Sequence, residues 1–318
     1  MIKKRYFLIP IFVLGILLIL TFVAQFFLSL KKEFSIVILP DIQNYSQNFP
    51  QILDSQTKWI VGNIRRENIA FVAQEGDIVN NWNEKGEWEN ASKSLSLLDG
   101  KVPYSVLPGN HDIQQNRKTD FFNQYFPVEK YKKYPWYGGN FPPQKNDSSY
   151  QLFSEYGDDY IVLNLEFCPT KDIIEWAKKV LFEHSNRRAI IVTHGYLNEK
   201  AERNVHVPYN NKGGCDALVN NTQYIWDNLI YYNTNVFLVF SGHVHAEARR
   251  VDKNMAGKNV YQILADYQDE ENGGNGWLRI IEFLPEEDKI HVKTFSPSLN
   301  QYKTGESSDF ILDYNMLR

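Results

Sequence analysis

From Phe34 onward the chain alternates short apolar runs with stretches in which apolar residues recur at helical spacing. This pattern predicts strands and crossover helices in a layered α/β domain. The run Phe34–Leu39 predicts a fully buried strand, and Ile52, Trp59, Ile60 and Ile64 fall on one face of a helix. Residues 69–73 predict the next strand, and residues 102–107 predict another beyond a polar stretch that reads as a second helix. Residues 160–165 and 189–192 predict strands flanking a helix with Ile173, Trp176, Ala177 and Val180 on one side, and residues 236–240 continue the set. The last third changes character. Asn259–Ala265 and residues 277–283 and 289–295 predict strands joined by short turns, one of them Gly273-Gly274-Asn275-Gly276, and suggest antiparallel strands completing a second sheet. No fixed-period repeat and no long linker interrupts this body, so residues 34–318 predict one domain.

The amino terminus follows another rule. Residues 6–30 contain no charged side chain and are rich in Leu, Ile, Phe and Val, a stretch long enough to span a bilayer. Lys3, Lys4 and Arg5 precede it, against Lys31, Lys32 and Glu33 after it, which favours a cytoplasmic amino terminus and an extracytoplasmic body. Residues 1–33 are therefore expected to be a membrane anchor, giving a single-pass protein at the cell membrane. The rival is a cleaved signal and a secreted body, against which stand the length of the run and the lack of an Ala-x-Ala-like site.

Composition narrows the chemistry. With 34 basic and 38 acidic residues the formal charge is −4, so no global positive field holds a long nucleic acid. Two cysteines, Cys168 and Cys215, are too few for a disulfide scaffold and too far apart for a thiolate metal site. A disulfide between them and two unpaired thiols are both compatible with the spacing. Any metal must then rest on His, Asp, Asn or Gln.

Those residue types gather after predicted strands, where open α/β sheets bind their ligands. Asp41-Ile42-Gln43 follows the first strand, Gly76-Asp77-Ile78-Val79-Asn80 the second, and Gly109-Asn110-His111-Asp112 the third. Thr193-His194 follows the strand at 189–192, and Gly242-His243-Val244-His245 the strand at 236–240. Four of the seven histidines lie in these clusters. Any one cluster alone reads as turn chemistry, and a lone histidine as a satisfied polar side chain. Their joint order supplies donors enough for two divalent ions.

The motifs resemble those of the calcineurin-like metallophosphoesterases, whose pattern runs Asp-x-His, Gly-Asp-x-x-Asp, Gly-Asn-His-Asp/Glu, His and Gly-His-x-His. The segment Leu39-Pro40-Asp41-Ile42-Gln43, with Leu264-Ala265-Asp266-Tyr267-Gln268 and Gly273 to Arg279, is most similar to a bacterial branch whose first motif is Leu-Pro-Asp-x-Gln. The resemblance implies an α/β fold, a four-layer α/β/β/α sandwich of two mixed sheets. It implies a first metal on Asp41, Gln43, Asp77 and His245, and a second on Asp77, Asn110, His194 and His243, with Asp77 bridging. It implies His111 as the catalytic histidine beside the phosphate, with Asp112 orienting its ring. The implied reaction is hydrolysis of a phosphate ester by a hydroxide bridging two metals.

Two positions depart from the pattern. Gln43 replaces a histidine, and its harder amide oxygen favours Mn²⁺ or Mg²⁺ over Zn²⁺ or Fe. Asn80 replaces an aspartate, which is expected to loosen that loop. His206 reads as a solvated loop histidine, His184 and His291 as structural, and Tyr45, Trp82 and Tyr267 as candidates to line the cleft, with Asp266 and Gln268 near the site. The expected substrate is a small-molecule, lipid or cell-wall phosphate ester. The alternative is a surface module that keeps the fold and binds metal or phosphate without turnover. A zinc peptidase is disfavoured because no His-Glu-x-x-His pair is present.

Overall fold

The computed structural model describes residues 33–203 and 222–316. Phe34–Arg318 is one compact unit. Its first half runs β1 (Phe34–Leu39), α1 (Gln43–Asn48), α2 (Pro50–Asn63), β2 (Ile69–Gln74), α3 (Lys85–Leu95) and β3 (Tyr104–Ser105). Short helices α4 (Asp120–Tyr125) and α5 (Val128–Tyr131) precede β4 (Tyr137–Phe141), β5 (Ser148–Glu155) and β6 (Asp158–Leu165). Then come α6 (Lys171–Glu183), β7 (Arg188–Thr193), β8 (Val236–Ser241), β9 (Glu247–Lys253) and β10 (Asn259–Ala265). The chain closes with β11 (Leu278–Leu284), β12 (Lys289–Ser296), β13 (Gln301–Lys303) and β14 (Phe310–Asp313).

Two mixed sheets result. One has the order β13-β12-β11-β1-β2-β3, with β14 beside β12, and the other β4-β5-β6-β7-β8-β10-β9. β1, β2 and β3 are parallel, as are β6, β7, β8 and β10. The apolar periodicity explains the layering. Val37, Leu39 and Val72 face the helical side with Leu53, Ile60 and Trp88, while Ile36, Ile38 and Phe71 face Val162, Ile190, Val192 and Phe240 of the other sheet. A third core packs Ile173, Ala177 and Leu181 of α6 on Ile161, Leu163 and Ile191. Strands buried on both faces read as unbroken apolar runs, which is why β1 was legible as FSIVIL. Phe34 stacks on Phe283 at 4.4 Å between centroids, and burying a ring of this size contributes about 3 kcal/mol.

Local signals set the helix boundaries. Pro50 opens α2, where a missing N–H costs nothing, and the Thr170 side chain accepts from the Ile173 N–H at the start of α6.

Several expectations need correction. The strand expected over 102–107 is only Tyr104–Ser105, because Pro103 and Pro108 cannot donate to a ladder. The last third does not complete one second sheet. β10 joins β8 in parallel, whereas β11 returns to β1 and carries β12, so these strands are divided between the sheets. β4, β5 and β9 were missed; β9 (EARRVDK) is an edge strand with alternating exposure and few apolar residues. The apolar segment at residues 6–30 lies outside the described residues. Among the described residues no helix is long and apolar enough to cross a membrane.

Candidate metal centre

The parallel strands of both sheets end at one place. β1, β2 and the stretch after β3 deliver Asp41, Asp77 and Asn110, and β7 and β8 deliver His194, His243 and His245. Backbone bonds fasten these ends together: Ile42 N–H donates to Asp77 O at 3.1 Å and Gly242 N–H to His194 O at 2.9 Å. Close approach dictates two glycines. A Cβ on Gly109 would lie 2.1 Å from Asp77 Oδ1, and one on Gly242 would lie 1.9 Å from Asp41 Oδ1.

Asp77 is central. It is 1% exposed and sits at φ 51°, a left-handed conformation that an aspartate adopts at some cost and that functional sites retain. Its Oδ1 lies 3.2 Å from His194 Nε2 and accepts the His111 N–H at 2.9 Å, while its Oδ2 accepts Gln43 Nε2 at 3.1 Å. One carboxylate thus faces two groups of donors with different oxygens. His194 Nε2 is also 2.8 Å from Asn110 Oδ1, and ligand atoms of Asp77, His194 and His243 lie within 4.8 Å of one another.

Three of the histidines share a mode of anchoring. Carbonyl and carboxylate oxygens can only accept, so His194 Nδ1 donates to Glu75 O at 3.0 Å, His111 Nδ1 to Asn80 O at 2.7 Å, and His245 Nδ1 to Asp269. Each ring is thereby fixed by its Nδ1, and the Nε2 of His194 faces Asn110 and Asp77 while that of His245 faces Gln268, an orientation that suits a metal or phosphate. Phe167 packs against the rings of His194 and His243 at 5.4 and 5.3 Å, and its carbonyl is held by Arg117, which also pairs with Glu166.

Electrostatics mark a site short of positive charge. Burial, then Asp266, Asp77 and Glu75, push Asp41 well above the usual carboxylate range. Burial also pushes Asp77 up, but the His194 and His111 charges outweigh it and hold the carboxyl at about 2. Burial and the His194 charge lower His243 to about 3. Crowded buried carboxylates with imidazole Nε2 atoms turned inward suit divalent cations. The orphaned Oε1 of Gln43, buried without a hydrogen-bond partner, fits the same reading.

The structure thus gathers Asp41, Gln43, Asp77, Asn110, His194, His243 and His245 around one mouth, with His111 beside them. Asp112 is not where the sequence reading put it. Its carboxylate accepts from the N–H groups of Ile78, Val79 and Gly109, at 2.8 to 3.0 Å, and Asn80 O holds the His111 ring instead. Burial and the Asp77 charge raise Asp112 to about 7, against the pull of those three N–H groups.

The Asn80 loop is hydrogen-bonded to Gln47 through the Asn80 side chain and to Glu87. Buried Glu87 accepts from Asn80 N at 2.7 Å and from Asn81 N and Nδ2 at 2.9 Å, so an aspartate at 80 would bring like charge to Glu87. Glu87 and Phe167 were missed by sequence reasoning, and no local signal marks either. Tyr45 does not line the cleft, whereas Tyr267 lines a cavity at His245 together with Asp266 and Asp269. Both are buried, with Gly276 N–H donating to Tyr45 Oη and Tyr267 Oη donating to Glu247. Trp82 is half-buried against Phe121. His184 packs on Tyr150, and His291 pairs with Asp309. Cys168 is disulfide-bonded, whereas Cys215 and His206 lie outside the described residues.

Two mixed sheets with this donor mouth define a metallophosphoesterase fold. A family model described as calcineurin-like phosphoesterase matches residues 34–247. The chain therefore belongs to the calcineurin-like phosphoesterase family. It is 34% identical over 300 residues to the uncharacterized protein YvnB of Bacillus subtilis (strain 168), covering 90% of this chain but only 22% of that protein. Among solved structures, purple acid phosphatase PPD1 from yellow lupin (Lupinus luteus) seeds is similar with a TM-score of 0.54 at 12% identity, over 90% of this chain and 54% of that one. GAP50, the anchor in the inner membrane complex of Plasmodium, is similar with a TM-score of 0.50 at 13% identity, over 90% of both chains. These two likenesses concern the fold.

Proposed function

We propose that the chain hydrolyses a phosphate mono- or diester with two divalent cations, in the bacterial branch whose first motif is Leu-Pro-Asp-x-Gln. The observation that carries this reading is Asp77, whose two oxygens face Gln43 on one side and His194 on the other. Asp41, Gln43 and His245 would join Asp77 around a first cation, and Asn110, His194 and His243 around a second. Bound there, the cations supply charge that polarises the phosphate and acidifies the attacking water. His111, with Nδ1 tied to Asn80 O, turns Nε2 outward to hold a phosphoryl oxygen or to protonate the leaving oxygen. Gly109 and Gly242 let the carboxylates approach, and Phe167 fixes the two imidazoles in place.

The amide at Gln43 supports Mn²⁺ or Mg²⁺ over Zn²⁺ or Fe. The charge-free run at residues 6–30 supports a single-pass anchor with the body outside the cytoplasm, and a disulfide at Cys168 accords with an oxidising compartment. The net charge of −4 supports a small-molecule, lipid or cell-wall phosphoester over long nucleic acid. The same fold serves as an anchor in GAP50, so fold alone does not carry turnover; the donor set does.

The test is hydrolysis of paired chromogenic phosphate mono- and diesters by the metal-stripped chain resupplied in turn with Mn²⁺, Mg²⁺, Zn²⁺ and Fe²⁺. Turnover restored by metal is expected, and His111→Ala should lose about 10²- to 10⁴-fold in rate with its metal content unchanged. A chain that binds both cations yet turns over neither ester would favour the non-catalytic module.

A further inference from the structure

The mouth contains one loop, in the Leu264–Gln268 segment, to which the proposed ligand set gives no role. It follows β10, which lies parallel to β8, so the residues after the two strands emerge side by side; Asp266 N–H donates to Ala246 O at 3.0 Å and locks the loops together. On this loop Gln268 is held from the far side too, since Asn44 Nδ2 donates to its carbonyl at 2.9 Å. Its side-chain amide therefore stands between the sheets. Gln268 Oε1 contacts Gln43 Nε2 while Gln268 Nε2 contacts His245 Nε2, so one amide touches two residues of the first cation set. Asp266, only 3% exposed, places Oδ2 3.1 Å from Gln268 Nε2 and 3.9 Å from His245 Nε2.

A second observation points to a ligand among these groups. Gln43 is 1% exposed, and its Oε1 has no hydrogen-bond partner, although its Nε2 faces both Asp77 Oδ2 and Gln268 Oε1. An orphaned buried carbonyl is costly. Turning the amide over would aim its oxygen at those two oxygens, an arrangement of acceptors against acceptors that a cation between them makes favourable.

We propose that Gln268 and Asp266 complete the first cation site, which is thus built from the ends of both sheets. The inference rests on the dinuclear reading above and deepens it. Its donors become the carboxylates of Asp41, Asp77 and Asp266, the amides of Gln43 and Gln268, and one imidazole, His245. Such an oxygen-rich set matches a hard, six-coordinate cation, whereas the second site, with two imidazoles among four ligands, is softer. The two sites should therefore differ in the cation they hold most tightly, with Mn²⁺ or Mg²⁺ preferred at the first.

The experiment is a Mn²⁺ titration of the metal-stripped full chain, followed by calorimetry and by electron paramagnetic resonance, which reads exchange coupling between neighbouring Mn²⁺ ions. Wild type should take up two ions and show the coupled signal. Gln268→Ala and Asp266→Asn should each weaken one of the two binding steps by tenfold or more and lose the coupling, while the other step keeps its affinity. Gln268→Glu, which keeps an oxygen donor, should retain the coupled pair. Gln268→Met, close in volume but without an oxygen donor, replaces the alanine variant if that one does not fold. Two tightly bound, coupled ions in both Asp266→Asn and Gln268→Met would overturn the inference while leaving the dinuclear reading intact. A wild-type chain that takes up no Mn²⁺, Mg²⁺, Zn²⁺ or Fe²⁺ would overturn both.

Discussion

At the residue scale the site is governed by what its polar atoms are tied to. Three histidines spend Nδ1 on an oxygen and keep Nε2 for the mouth, yet only one of those three anchors is a side chain. The carbonyls of Glu75 and Asn80 carry no signature in a sequence, so a carboxylate, Asp112, was expected where a backbone oxygen acts. Glu166 gives a prediction at this scale. Burial, reinforced by Asp147 and opposed by Arg117, raises it from 4.5 to about 7. A raised carboxyl contributes stability that is complete below pH 4.5 and is lost as pH climbs through 7, a difference of roughly 3 kcal/mol for a shift of this size. Thermal melts of Glu166→Gln from pH 4.5 to 8 should show a flatter dependence than wild type; an unchanged slope would show that Glu166 titrates as in the unfolded chain.

At the element scale, what matters is the place where each parallel strand stops. β1, β2, β7 and β8 were legible because strands buried on both faces are mostly apolar, and the functional residues Asp41, Asp77, His194 and His243 follow shortly after the runs end. β9 and β5 were not legible, since half-exposed strands mix polar residues into the pattern. Gly109 and Gly242 belong to this scale, for they set how closely one strand end approaches another. Gly109→Ala would drive a Cβ into the Asp77 carboxylate and backbone. The variant is expected to keep its circular dichroism spectrum but to lose at least tenfold in Mn²⁺ affinity, read by calorimetry, because the Asp77 carboxylate must move. Wild-type affinity would mean that the Asp77 loop shifts without cost.

For the whole molecule, a concentration of buried carboxylate between two sheets is a source of instability that bound cations would relieve. Asp41, Glu75, Asp77, Asp112 and Asp266 are all buried near one another, and the Arg279 guanidinium is the buried cation that bears on Glu75. Binding to the folded state alone stabilises it by about 2.7 kcal/mol at a free ion concentration one hundred times Kd. Chelation is therefore expected to lower Tm by about 5 °C or more in differential scanning calorimetry, with recovery on adding Mn²⁺. A Tm indifferent to chelator would mean that the folded chain does not hold the ions.

The sequence by itself determined the strand ends and the donor types, because both follow from local chemistry: an apolar run must be buried, and a polar cluster after it must be satisfied. It also placed Asp41, Gln43, Asp77, Asn110, His194, His243 and His245 after strands, in segments that the fold brings to one mouth. Only the tertiary structure decided which atoms meet. That Asp77 faces Gln43 with one oxygen and His194 with the other depends on two sheets ending at one edge. The pairing of β10 with β8, which brings Asp266 and Gln268 to His245, joins residues more than twenty positions apart, and no periodicity in the chain encodes that contact.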